Sequence, residues 1–204
     1  MTDDELTRRR LLALGVVLPL GLVACGGDDS AGGSGSGSGS GSTATLAKTP
    51  ACDDDDDDET PEQTEGPYFI PGSPRRRDLR DGGLEGRALV VSGRVLSPDC
   101  RPRRRALLDF WQADGAGEYD NAGTGGRGHQ FTDAQGRFRL ATVVPGLYPG
   151  RTRHIHVKVQ PRGGEVLTTQ LYFPREARNR GDGIFDAALL MRVSGDRARY
   201  DFVV

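Results

Sequence analysis

The sequence predicts an all-β fold, an antiparallel β-sandwich carried behind a disordered N-terminal tether, on three observations. From about Thr60 onward short alternating or apolar runs recur, turn formers stand between nearly every pair of them, and no helical crossover intervenes. The candidate strands are ALVVSGRVL (88–96), ALLDFWQA (106–113), RFRLATV (137–143), HIHVKVQ (154–160), EVLTTQLYF (165–173) and RYDFVV (199–204). SPDCRP, DAQG and PRGG punctuate them as turns, and only GIFDAALLM (183–191) reads as a short helix. No internal repeat and no glycine-rich phosphate loop is present.

The 204 residues leave room for one modest domain once the segments that cannot fold are set aside. Residues 1–25 read as an export signal. Arg8, Arg9 and Arg10 precede an apolar run from Leu11 to about Ala24, which is shorter than the roughly 20 residues a membrane-spanning helix needs. The consecutive arginines resemble a twin-arginine signal, and LVAC resembles a lipoprotein cleavage box, after which Cys25 carries the lipid. These features predict an exported domain held to a membrane by a lipid anchor. Residues 26–59 are a linker, Gly/Ser-rich and then acidic, with too few apolar groups to offset the entropy of ordering. Six contiguous aspartates, Asp53 to Asp58, lack the spaced ligands of a calcium loop and read as a solvated spacer. Residues 60–204 form the domain.

Charge divides at the same boundary. Residues 1–59 carry 12 acids and 4 bases, leaving 17 acids and 23 bases for 60–204, so the domain is near +6 while the whole chain is −2. In an exported protein that excess speaks for a solvated basic face that favours anionic aromatic ligands, and against nucleic acid. With Cys25 committed to lipid, Cys52 and Cys100 remain, and an oxidising compartment predicts a disulfide between them. Closing that loop contributes up to about 4 kcal/mol in the chain-entropy account.

Two of the three histidines lie in HIHVKVQ. Strand alternation puts His154, His156, Lys158 and Gln160 on one face and Ile155, Val157 and Val159 on the other, so the imidazoles can converge on one metal without disturbing an apolar core face. The pair alone is equally compatible with surface histidines. A ferrous facial triad wants a nearby carboxylate, and zinc a further His, Cys or carboxylate. What lies to hand instead is phenol: Tyr148 in PGLYPGR and Tyr119 in WQADGAGEYDN, each beside glycines that allow tight turns. The residues by themselves leave the metal open.

Taken together, TEGPYF (64–69), WQADGAGEYD (111–120), TDAQGRF (132–138), PGLYPGRTRHIHVKV (145–159) and TTQLYF (168–173) resemble the intradiol ring-cleavage dioxygenases, in particular their exported, lipoprotein-like members. The resemblance covers nearly all of 60–204 in the family's order. It implies a prealbumin-like sandwich core and a non-heme Fe(III) held by Tyr119, Tyr148, His154 and His156. It implies that Tyr148 is the axial ligand that leaves when substrate chelates, that Arg151 stabilises charge on the bound catecholate, and that Gln170 belongs to the same pocket. The implied partners are a small aromatic diol and O2, and the implied product is a cis,cis-muconate-type diacid. Trp111 is assigned to the core, Tyr68 to the pocket wall or the framework, and His129 to the surface or the region behind the site. Only five residues separate Tyr148 from His154, and the helical dimerisation region of the catechol type has no counterpart, which removes pocket walls and leaves monomer and homodimer both open. Two other readings are a noncatalytic extracytoplasmic module that binds iron or another ligand on the same sandwich, and a zinc hydrolase built on the histidine pair.

Overall fold

The computed structural model describes residues 59–204. The expected export signal, the lipidation site Cys25, nearly all of the linker and Cys52 lie outside these residues. The domain's hydrogen bonding begins at Thr60, whose N–H donates to the Val203 carbonyl at 3.0 Å.

The described residues contain nine strands: β1 (Ala88–Leu96), β2 (Leu107–Trp111), β3 (Arg127–Phe131), β4 (Arg137–Val143), β5 (His154–Gln160), β6 (Leu167–Tyr172), β7 (Arg192–Ser194), β8 (Arg197–Arg199) and β9 (Phe202–Val203). One sheet runs β4-β1-β8-β7 with β9 also beside β1, and the other runs β3-β2-β5-β6. The sandwich is antiparallel except along β1, where β8 and β9 pair in parallel. Alternation explains both inner faces. Leu89, Val91 and Val95 of β1 and Phe138 and Leu140 of β4 meet Leu108 and Phe110 of β2 and Ile155, Val157 and Val159 of β5 in one buried cluster. Phe138, tilted against both Phe110 (5.9 Å) and Phe202 (5.6 Å), links the sheets.

Four elements differ from the expectation, the first being β7, which no candidate strand covered and which pairs antiparallel with β8. RYDFVV is not one strand: Asp201 accepts the Arg94 N–H at 2.7 Å in place of a ladder carbonyl, which separates β8 from β9. GIFDAALLM forms only a 3-10 turn at Ala187–Leu189. Asp182 and Asp186 cap backbone N–H groups of Ile184 and Ala188, and Met191 N–H then bonds the Tyr172 carbonyl in extended form. Strand β3, absent from the reading, pairs with β2 through Arg127, Gly128, His129, Gln130 and Phe131.

The outer face of the second sheet is covered rather than solvated. Residues 60–69 run across it: Gln63 N–H bonds the Thr168 carbonyl, Thr169 Oγ1 donates to the Pro61 carbonyl, and Gln170 Nε2 donates to the Thr64 carbonyl. Lys158, unexplained by the strand pattern, anchors this cover through an ion pair with Glu65 and lies 3.8 Å over the Phe69 ring.

The split between β8 and β9 depends on Gly93, since a Cβ there would stand 1.7 Å from the Tyr200 carbonyl oxygen. Gly93→Ala is therefore expected to lower the unfolding free energy by about 1–3 kcal/mol. Gly181→Ala, where a Cβ meets nothing within 4 Å, is expected to stay within about 0.5 kcal/mol of the parent. Denaturant midpoints of the two variants check both, and equal midpoints would contradict the packing argument.

Candidate active site

Strand register lays out the covered face as rows. Trp111, His156 and Gln170 are cross-strand neighbours in β2, β5 and β6, and His154 pairs with Tyr172 one row further on. His154 and His156 are 4% and 1% exposed, so both faces of β5 are buried, one by the apolar core and one by the site. Trp111 is buried on this outer face, not between the sheets. Its indole stacks on His156 at 4.8 Å and fixes that ring's plane.

The imidazoles are oriented toward each other. His154 Nδ1 lies 2.6 Å from the Thr152 carbonyl, which assigns the proton to Nδ1 and a lone pair to Nε2. That Nε2 stands 3.1 Å from His156 Nε2, while His156 Nδ1 is buried without a partner. His156 Nδ1 goes unsatisfied in either tautomer; with the proton on Nδ1, the two Nε2 atoms turn lone pairs on each other at 3.1 Å, an arrangement that a cation held between them would satisfy. The separation is one that two nitrogens each about 2.1 Å from one metal can adopt. Burial, partly offset by the bond to Thr152, lowers His154 to about 4. Burial and then His154 and Arg151 hold His156 well below its ordinary value, so both rings are neutral donors at neutral pH.

Two loops bring phenols to this pair. Tyr119 follows the turn at 114–118, and Tyr148 follows Pro145-Gly146-Leu147. The loops touch backbone to backbone: Gly146 N–H donates to the Asp114 carbonyl at 2.6 Å, and a Cβ on Gly146 would lie 2.2 Å from Gly117 N. The Tyr148 ring is 5.7 Å from His154 and 5.8 Å from Tyr119, and Tyr119 is 6.5 Å from His156. Tyr68, from the covering segment, stacks on Tyr119 at 4.3 Å and meets Tyr148 edge-on at 5.9 Å, so it forms a wall of the site. Burial, then the neighbouring Tyr148, raises the Tyr119 pKa, the direction a nearby cation would reverse. The four residues thus supply two neutral imidazole nitrogens and two ionisable phenol oxygens, a donor set that fits a hard trivalent ion. Among the described residues, no group of three His, Cys, Asp or Glu offers a competing metal site.

Arg151 lies alongside. Its Nε donates to Asp182 Oδ2 at 2.9 Å, Nη2 donates to Gln170 Oε1 at 2.6 Å, and Nη1 stands 3.5 Å from the Tyr148 hydroxyl. Tyr172 closes the same network, donating toward Gln63 and the Ile184 carbonyl and accepting from Arg151 Nη2, and burial pushes its phenol up to about 12. All six expected site residues therefore converge: Tyr119, Tyr148, Arg151, His154, His156 and Gln170. Not singled out were Tyr172, which lies within TTQLYF, and Asp182, which carries no motif signal of its own. His129 lies apart, its Nδ1 2.8 Å from the Ser73 carbonyl. Cys100 is disulfide-bonded, and its expected partner Cys52 lies outside the described residues. A cleft of about 870 Å3 between Glu85, Asp114, Arg153 and Glu176 contains none of the gathered side chains.

A β-sandwich with paired imidazoles and phenols on one sheet face defines a class of oxygen-using enzymes, and a family model described as Dioxygenase (Dioxygenase_C) matches residues 64–199. The chain belongs to the intradiol ring-cleavage dioxygenase family. It is similar to the dioxygenase domain of a dioxygenase–carbohydrate-binding protein fusion from Streptomyces sp. SirexAA-E, with 57% identity and a TM-score of 0.69 over 72% of this chain and 98% of that one. The 3-chlorocatechol 1,2-dioxygenase of Rhodococcus opacus 1CP is 32% identical with a TM-score of 0.63, covering 71% of this chain and 72% of that one. The protocatechuate 3,4-dioxygenase beta chain of Burkholderia cepacia is 35% identical over 52% of this chain and 53% of its own length. The chain spans about half the length of the curated relatives it matches.

The buried neutral imidazoles make the metal-free protein acid-sensitive. Below the unfolded pKa of about 6.5 the unfolded chain takes up a proton that folded His154 does not accept until about pH 4, so stability is complete above 6.5 and lost as pH falls through that window. Chelator-treated protein is expected to be on the order of 2 kcal/mol less stable at pH 5 than at pH 7.5 from His154 alone. Urea unfolding at the two pH values measures it, and His154→Gln should reduce the difference, leaving the part that His156 contributes.

Proposed function

We propose that the chain is a non-heme Fe(III) intradiol dioxygenase that cleaves catechol-type aromatic diols with O2 to cis,cis-muconate-type diacids, exported and lipid-anchored through Cys25. The observation that carries the reading is the convergence of His154 and His156 Nε2 at 3.1 Å beneath the rings of Tyr119 and Tyr148, with Arg151 against the Tyr148 hydroxyl. Family membership and the catechol, chlorocatechol and hydroxyquinol activities named for the relatives support it.

Tyr119, Tyr148, His154 and His156 would hold the ion. When bound, ferric iron supplies Lewis acidity that binds a diol as its dianion and activates the ring toward dioxygen. The chain's residues do the rest. Tyr148 is half-buried in a loop and, ionised where it would hold the ion, could swing away and take one of the two diol protons on its phenolate oxygen as a general base, the other passing to solvent hydroxide. Arg151 keeps its charge throughout, so it can stabilise the anionic oxygen of the diol without titrating, and Gln170 holds one guanidinium edge. Tyr68 and Trp111 keep the two ligand planes fixed by stacking on Tyr119 and His156. The segment 60–69 limits water on the sheet side. A noncatalytic iron-binding module would need the four donors but would have no use for Arg151, whose guanidinium is aimed at the phenol.

Protein loaded with ferric ion is expected to be red-brown from phenolate-to-metal charge transfer, to change colour with catechol, and to consume oxygen. Tyr148→Phe should shift or weaken the band. Arg151→Ala should keep the band and lose about 100-fold or more in kcat/KM. Colourless protein with stoichiometric zinc would overturn the iron assignment, and coloured protein that consumes no oxygen with a panel of catechols and hydroxyquinols would favour the binding module.

A further inference from the structure

Arg151 is a long side chain with four rotatable bonds, and a group meant to meet a developing charge must be held in place before the charge appears. Gln170 holds only one edge of the guanidinium, and Tyr148, its other neighbour in the site, is the residue expected to move. The remaining edge is held from outside the site by Asp182, in the irregular segment between β6 and β7. The Asp182 side chain is 2% exposed and that of Arg151 14%, so the pair is shielded from screening by salt.

A single oxygen, Asp182 Oδ2, accepts both Arg151 Nε and the Thr152 backbone N–H, each at 2.9 Å, while Oδ1 accepts Ile184 N–H at 3.2 Å. The neighbouring carbonyl of Thr152 is the acceptor for His154 Nδ1. The Thr152 hydroxyl donates to Asn179 Oδ1 at 2.6 Å, and Asn179 Nδ2 bonds the Phe173 carbonyl at 2.9 Å, which ties the whole segment back to the end of β6. We propose that Asp182 is a positioning residue: by binding Arg151 Nε and Thr152 N–H on one oxygen it aims the two Nη atoms at Tyr148 and Gln170. The inference rests on the proposed dioxygenase reading for its kinetic consequence, but the bond itself does not.

The arrangement has a specific signature. With Nε unsatisfied, the guanidinium can rotate about its long stem, so removing Asp182 disables the same function that removing Arg151 disables. Asp182→Asn, isosteric but uncharged, is expected to leave the ferric colour of the loaded protein unchanged, because the four ligands remain. It is expected to lower kcat/KM for catechol about 10–100-fold, mostly in kcat. The double variant Asp182→Asn/Arg151→Ala is expected to be no slower than Arg151→Ala alone. A merely structural role would instead give losses that multiply, and multiplying losses, or an Asp182→Asn enzyme with parental kcat and KM, would overturn the proposal. If Asp182→Asn does not fold, Asp182→Glu, which keeps the charge but displaces it by one methylene, is expected to show the same non-additivity with Arg151→Ala. An iron-independent arm separates this inference from the functional reading. In metal-free protein the Arg151 Nε–H resonance is expected to be protected from solvent exchange and to lose that protection in the Asp182 variant. If no ferric colour or oxygen uptake is found but protection behaves as expected, the functional reading fails and the positioning bond stands. Parental protection in the variant removes the bond's role whatever the activity.

Discussion

The site depends on one constraint: β5 is buried on both faces, and its two faces have opposite chemistry. Ile155, Val157 and Val159 are fully buried in the core between the sheets, which fixes the strand's register and leaves no freedom to rotate the alternate residues away. His154 and His156 are therefore forced into a dry layer under residues 60–69 as neutral rings. A strand that buried two imidazoles without using them would carry unmatched polar atoms at its centre, as His156 Nδ1 does. The apolar half of β5 thus supplies the rigidity, and the polar half the donors.

Everything else at the site is brought to that strand by loops tied down at few points. Asp114 caps the backbone N–H groups of Ala116 and Glu118 just before Tyr119, and Asp120 caps Ala122, Gly123 and Gly125 just after it, so the phenol is set between two self-contained turns. Arg127 joins this loop to the cover, donating to the carbonyls of Asp120 and Tyr68. Tyr148 has no comparable brackets. Its backbone carbonyl takes a bond from exposed Arg178, and its hydroxyl touches only Arg151 at the long distance of 3.5 Å. The difference in restraint matches a division of labour in which one phenol stays and the other moves.

The regular half of this structure was legible in the sequence because alternation records burial. The register of β1, β4 and β5 follows from Val-x-Val and Phe-x-Leu spacing, and the histidine pair follows from the same rule. Strand β3 left no such trace: Gly128 and Gln130 take its inner positions, so no apolar alternation exists to be read, and its partner β2 imposes the strand by hydrogen bonding. The short helix expected at 183–191 failed for a tertiary reason, since the end of that segment pairs with Tyr172 and cannot close helical turns. Lys158 looked anomalous on a ligand-bearing face until the covering segment supplied Glu65 and Phe69. Tyr172 and Asp182 were not singled out for a related reason: each matters only through a side chain brought from far along the chain.

Charge placement then explains why an arginine, rather than a lysine, stands at position 151. Three neighbours must be met at once in fixed directions, the Asp182 carboxylate, the Gln170 amide oxygen and the Tyr148 hydroxyl, and a planar fork with five donors can do so where a single ammonium cannot. Burial raises the phenols of Tyr119 and Tyr172, and before a cation arrives the permanent positive charge against the Tyr148 hydroxyl is Arg151, balanced by Asp182 on the side away from Tyr148. The guanidinium is neutralised behind and presents its donors in front. An anion entering beside Tyr148 meets oriented N–H groups without the protein having to desolvate a new charge, which is the electrostatic condition for stabilising an anion that forms only during the reaction.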